Sequence, residues 1–234
     1  MPGSAASSAY TGLASVDGPN FLGLQRSQYV TPDKVAANVS YYVDLIGGLQ
    51  VDLYYTGYSA YGNSFTYSND MNGDGIAYDL MYIPATKDEI NFTSEADRDA
   101  FWAFLEQDSY LSTHKGQYAE ANAARAPFVH RFDLRLAKDI VFHIGSTSHK
   151  FQVSASIDNI GNMFNSKWGV PQLAYNQSSA GYISPLKYAG NDGGVPKFSF
   201  NKVDDKYPTK TYTNYYKNTS ECWQILLGLK YFFN

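Results

Sequence analysis

Residues 128–140 read Phe128-Val129-His130-Arg131-Phe132-Asp133-Leu134-Arg135-Leu136-Ala137-Lys138-Asp139-Ile140. Phe132, Leu134, Leu136 and Ile140 alternate with Arg131, Asp133, Arg135 and Asp139, and this period of two marks a β-strand with one apolar and one polar face. A short turn around Gly145-Ser146-Thr147-Ser148 leads into a second such strand, in which Phe151, Val153, Ala155 and Ile157 oppose Lys150, Gln152, Ser154, Ser156 and Asp158.

The same pattern appears upstream. Over 34–44, Val35, Ala37, Val39, Tyr41 and Val43 share a face, and over 49–60 so do Leu49, Val51, Leu53 and Tyr55, with Gly47 and Gly48 between the two strands. A last strand, 222–233, runs almost to the final residue. The chain therefore predicts five long strands, about 34–44, 49–60, 128–140, 149–158 and 222–233. Two connections are short, but those over 61–126 and 160–221 are about 66 and 62 residues, far above the usual four to six. Within the first, Ser94 is placed to cap one helix, about Glu95 to Gln107, whose Phe101, Trp102, Phe104 and Leu105 need a packing partner. Short extended pieces are expected at 77–84, 182–188 and 197–202.

Composition narrows the choice of surroundings. Of 234 residues only 17% are charged, against roughly 25% in soluble domains, while 21 Tyr, 14 Phe and 3 Trp make the chain rich in aromatics. Such a balance suits a polypeptide at a boundary between water and something less polar. The net charge of −4 gives no footprint for nucleic acid. A single cysteine, Cys222, excludes a disulfide framework and a thiolate metal site. No apolar run approaches 18 residues, which excludes a membrane helix but not a membrane β-barrel, whose strands alternate. The first thirty residues lack the basic and apolar regions of an export signal. Alternation by itself also fits a soluble sandwich. The loop asymmetry favours the barrel, with short periplasmic turns and long outer loops, as do Tyr41, Tyr55, Phe128, Trp223, Tyr231 and Phe233 near strand ends.

At this level the chain resembles the C-terminal part of a TonB-dependent outer-membrane receptor of Bacteroidetes, of the type with a carboxypeptidase-regulatory-like N-terminal domain. The resemblance is carried by 29–34 (YVTPDK), 70–75 (DMNGDG), 79–84 (DLMYIP), 116–120 (GQYAE), 131–135 (RFDLR), 158–169 (DNIGNMFNSKWG) and the terminal 227–234 (LGLKYFFN). It implies an all-β fold: an antiparallel transmembrane β-barrel segment, the C-terminal strands of a 22-stranded barrel, spanning 1–234, with long extracellular loops and one short helix. It further implies energised nutrient uptake by the whole receptor in the cell outer membrane. Its partners would be the rest of the barrel and plug, TonB through an N-terminal part, a surface lipoprotein and outer-membrane lipid. A five-stranded piece is not expected to transport alone. The alternative is a small soluble β-barrel or sandwich that binds a ligand.

Candidate sites are sparse. Asp70, Asn72 and Asp74 offer oxygens at alternating positions with Gly75 permitting a turn, as in the first half of a calcium loop. Met81 stands where such a loop wants a bidentate Glu, and Asp79 is the substitute, so an Asx/Gly turn fits these residues better than calcium. His114, His130, His143 and His149 lack metal-ligand spacing, and Gly73, Gly75, Gly193 and Gly194 lack a nucleotide-binding context. No sequence-local catalytic pair or triad is present, so no enzyme is expected. Arg131, Asp133, Arg135 and Asp139 read as a ladder of ion pairs before they read as a transport path. Tyr58, Tyr61, Tyr67, Tyr175 and Tyr182 fall in loop-like regions suited to stacking on a ligand, although loop packing is the commoner use of such tyrosines.

Overall fold

A computed structural model describes residues 12–44, 48–60, 62–178, 181–215 and 218–233. Most of the Gly/Ala/Ser-rich opening up to residue 11, Gly47 of the first turn, Tyr61 and Asn234 lie outside the described residues. In chain order the elements are β1 (Lys34–Val43), β2 (Leu49–Ser59), β3 (Gly62–Tyr67), β4 (Tyr82–Ile83), β5 (Asn91–Phe92), α1 (Glu95–Gln107) and α2 (Ser109–Thr113). Then come β6 (Gln117–Tyr118), β7 (Ala124–Arg125), β8 (Phe128–Ile144), β9 (Thr147–Asp158), α3 (Ile160–Phe164), β10 (Gln172–Ala174), β11 (Tyr182–Asp192), β12 (Val195–Phe200), β13 (Tyr212–Tyr215) and β14 (Gln224–Phe233). The fold is mostly β, with 48% strand and 13% helix. It divides into two units: 1–31, 60–126 and 172–214 form unit one, and 32–59, 127–171 and 215–234 form unit two.

Unit two contains one five-stranded sheet in the order β1-β2-β8-β9-β14, antiparallel throughout. These are the five strands read from alternation. The β8/β9 hairpin is longer than expected because Val141 to Ile144 continue the alternation. It closes through a two-residue turn in which Gly145 has φ 61°, while Ile144 pairs with Thr147. A positive φ at that position suits the right-handed twist of a hairpin and is free of strain only for glycine. The up-and-down order puts both short turns at one end of the strands and both long connections at the other. Among the described residues β1 and β14 each have one neighbour only, so the sheet is open and no closed barrel is formed.

Unit one corrects the reading of 61–126 and 160–221 as loops. Most of these residues fold around their own core, on a sheet ordered β5-β12-β11-β3-β7. That sheet is mixed: β11 runs parallel to β3 and β12 parallel to β5. Gly193 and Gly194, with φ 59° and 90°, form the two-residue turn of the β11/β12 hairpin. The helix at Glu95–Gln107 appears as expected: the Ser94 hydroxyl accepts the Asp97 N–H at 3.1 Å, and Phe101, Trp102, Phe104 and Leu105 are buried. Their partners are aromatic, with Phe104 5.4 Å from both Tyr175 and Phe200 between ring centres, and Phe101 5.6 Å from Phe200. One short helix undercounts, however. Asp108 starts α2 by accepting the Tyr110 and Leu111 amides at 2.9 Å each, and α3 begins after Asn159 in a left-handed conformation.

Candidate functional site

The chemistry of unit two lies in the two faces of its sheet. The hydrogen-bonded register puts Val39, Leu53, Leu134, Ile157 and Ile225 in one row across all five strands, and Tyr41, Val51, Leu136, Ala155 and Leu227 in the next. This face carries Lys138 as its one Lys, Arg, Asp or Glu among the paired residues. It is uncovered: Val39 is 65% exposed, Leu227 76% and Leu229 69%. Aromatic side chains gather at its two ends. Towards the short turns, Phe142 stacks on His149 and Phe151, and Phe151 on Tyr231 at 4.8 Å. Towards the long connections, Tyr55 lies 5.0 Å from Phe132, its hydroxyl 2.9 Å from His130 Nδ1, and Phe128 lies 5.1 Å from His130. Gly57 makes room for them, since a β-carbon there would fall 2.6 Å from the Phe128 ring.

The opposite face is polar and paired. Arg135 Nη1 meets Asp52 Oδ2 at 3.0 Å, and Gln50 Nε2 also donates to Asp52, whose side chain is 1% exposed. Arg131 lies between Asp133 at 3.4 Å and Glu221 at 3.8 Å. Asp139 accepts Lys150 Nζ at 3.0 Å and Gln152 Nε2 at 2.9 Å. The residues read as a ladder of ion pairs thus form one: Arg135 and Asp139 pair with neighbouring strands, and Arg131 with Asp133 of its own strand and with Glu221. Asp52 stands directly opposite Arg135 in the β2/β8 register, a pairing that the two alternation patterns contain once their register is known. Glu221 and Asn159 carried no such signal. The Asn159 N–H donates to Asp133 at 2.6 Å, and its side-chain amide donates to the carbonyls of Gly169 at 3.2 Å and Glu221 at 2.8 Å.

In unit one the structure brings Asp70, Asn72, Asp74 and Asp79 into one loop, and their oxygens are already in use. Asp70 accepts the Gly73 and Gly75 amides at 2.7 Å each, Asn72 the Asp74 amide at 2.9 Å, and Asp74 the Ile76 amide at 2.8 Å. Asp79 accepts the Met71 amide at 2.5 Å and the Asn72 amide at 3.2 Å. Burial pushes the Asp79 carboxyl above its ordinary range, the two amides oppose this, and Asp74 and Asp70 add to it. Met81, at the position of the missing Glu, is fully buried. The geometry is a self-capped Asx turn, and no cage for a metal ion is assembled among the described residues. A calcium ion would compete with these amides for the carboxylates.

Three tyrosines expected in loop-like regions are buried, Tyr67 in β3, Tyr182 in β11 and Tyr175 in the turn after β10. Tyr67, Tyr175 and Tyr182 are 7%, 8% and 6% exposed, because the segments that hold them fold over a core; burial pushes the Tyr67 phenol up to about 12. Tyr58 lies in β2. His114 is a helix-end residue whose Nδ1 is 2.8 Å from the Tyr110 carbonyl, His130 and His149 belong to the aromatic clusters, and Cys222 is exposed. No helix among the described residues is long and apolar enough to cross a membrane. Comparison with protein-family models, with curated proteins and with solved structures finds no match for the chain.

Proposed function

We propose that the chain is the C-terminal part of an energised outer-membrane receptor of the TonB-dependent kind, and that unit two supplies five adjoining strands of its transmembrane β-barrel. The observation that carries this reading is the uncovered apolar face running across all five strands, backed by a face of paired ions. From strand spacing and rise, five strands and ten residues span roughly 800 Å², above the largest apolar patch of a typical monomer. A soluble sandwich would lay a second sheet on that face, whereas lipid would cover it directly.

The aromatic ends support the same reading. Tyr41 is level with Leu136, and Tyr231 with Ile140, so the line joining them steps four residues along the strands while crossing four strand spacings. At about 3.3 Å per residue and 4.8 Å per spacing, a line of constant depth drawn this way needs strands tilted by roughly 35°, the lower end of the range for membrane barrels. Lys138, on the middle strand, falls on this line, where its stem lies on apolar surface and its ammonium reaches the headgroups. From Trp223 to Tyr231 the strand then climbs roughly 22 Å, near the height of a barrel's apolar band.

In this reading β1 and β14 pair with the remainder of the barrel, since an open edge cannot remain in lipid, and 34–59, 127–158 and 224–233 share one membrane. The short turns are periplasmic, and both long connections leave their strands on the outer side. Coupling to TonB runs through the plug and N-terminal part of the whole receptor. Nitroxide labels at positions 134 and 135 of the receptor in lipid vesicles test it. Label 134 should be reached by oxygen and label 135 by a water-soluble nickel chelate; the reverse pattern, or water access at both, would overturn the proposal.

A further inference from the structure

Unit one contains a cavity of about 360 Å³ that the barrel reading does not use. It falls within the size range of small-molecule sites. Its aromatic wall is built by the β4/β6 ladder, which sets Tyr82 opposite Tyr118 with ring centres 5.4 Å apart, and is continued by the buried Tyr67. Tyr67 is held in place by the Tyr82 amide, which donates to its hydroxyl at 3.2 Å. Three carboxylates line the same space, Asp17, Asp79 and Glu89, and none of the cavity's described lining residues is basic.

The carboxylates are not equivalent. Asp79 is fixed by the Met71 and Asn72 amides, so its charge is a rigid part of the wall. Glu89 uses Oε2 to accept the Tyr82 hydroxyl at 3.1 Å and the Ala85 amide at 2.8 Å, which holds the carboxylate against the aromatic wall and turns Oε1 away from those donors. Asp17 is exposed at the rim. Walls of this kind attract a positive charge twice, through the electron-rich ring faces and through a negative field focused by a low-dielectric wall. A neutral polyol would gain from the rings and hydrogen bonds but would leave the three carboxylates without a counter-charge.

We propose that this cavity binds a small organic cation, an ammonium or guanidinium group carried on an apolar stem. The stem lies on the Tyr82 and Tyr118 rings and the charged head meets Glu89 and Asp17. The site is independent of the membrane assignment, because all of its residues belong to unit one.

The test is calorimetric titration of the full chain in detergent with agmatine as probe and maltotriose as the neutral comparison, with near-ultraviolet circular dichroism to show that unit one is folded. Agmatine should bind, maltotriose should bind at least tenfold more weakly, and raising salt from about 50 to 500 mM should weaken agmatine tenfold or more. Glu89→Gln keeps an acceptor for Tyr82 and Ala85 and should cost agmatine at least tenfold; Tyr118→Leu, at a half-exposed position, should do the same by removing a ring. Folded protein that takes up no agmatine, equal binding of maltotriose, or wild-type affinity in folded Glu89→Gln would each overturn the proposal.

Discussion

The side chain of Asn159 occupies the space that a β-carbon on Gly169 would need: an added carbon would lie 2.1 Å from Asn159 Oδ1. Gly169 has φ 65°, a left-handed conformation, and its carbonyl accepts the Asn159 amide at 3.2 Å. Asn159 is fully buried and also left-handed, with φ 48°. One amide therefore ties the end of β9 to the loop after α3 and to the segment before β14.

Gly169→Ala should accordingly destabilise unit two by at least about 2 kcal/mol, combining left-handed strain with the clash. The urea midpoint of the receptor in vesicles measures it. A double variant with Asn159→Ala should be less destabilised than the sum of the two singles, because the clash is lost with the amide. Strict additivity would show that the two residues do not interact.

The two faces of β8 give a sharper contrast. Leu134→Arg should hinder assembly, since a charge at mid-membrane on the lipid side costs about 2–4 kcal/mol. Asp133→Asn retains an oxygen to accept the Asn159 N–H and should assemble normally, weakening only the contact with Arg131. Membrane levels of the heat-modifiable folded form check both. A Leu134→Arg receptor present in normal amount would count against lipid contact at that residue.

How far these features were legible in the sequence depends on where the partner lies. Strands with unlike faces announce themselves by alternation, so the five strands of unit two and the order of their turns could be read directly, as could the helix capped by Ser94. One interior strand of unit one, β3, could not. This strand buries Asn63, Ser64 and Thr66 beside Phe65, and these polar residues hydrogen-bond to Tyr212, Asn122 and Ser184, 58 to 149 residues away. A strand buried on both faces has no alternation, and its polar members look like loop residues until their distant partners are known. The loop at Asp70 to Asp79 was legible as a turn because its hydrogen bonds are local.

The ion pair between Asp52 and Arg135 tests the polar face. Asp52 is the buried partner and Arg135 is about a third exposed, so removing the arginine leaves a buried carboxylate with only the neutral Gln50 and Ser40 side chains to compensate it. Arg135→Met should cost about 1–3 kcal/mol, below the value for a fully buried pair because water reaches the arginine's position. Asp52→Asn together with Arg135→Met should recover most of the loss. A double variant as unstable as Arg135→Met alone would mean that the stem of the arginine, not its charge, supports the strand.

Acid should loosen unit one through Asp97. Burial by itself would raise this carboxyl, but hydrogen bonds from Thr93, Tyr207 and Ser94 outweigh it and hold the group below its ordinary range; the Tyr207 hydroxyl donates at 2.9 Å. Because the folded state binds the proton less well than the unfolded chain, Asp97 contributes stability above the unfolded carboxylate value of about 3.9 and loses it as pH falls through its lower folded value. The thermal midpoint of unit one, followed by near-ultraviolet circular dichroism of its aromatic core, should therefore drop from about pH 4 downwards. Asp97→Asn should lower the midpoint at neutral pH, where the charged hydrogen bonds are replaced by neutral ones, and should flatten the acid limb. An acid limb as steep in Asp97→Asn as in the unmodified chain would assign the transition to other carboxylates.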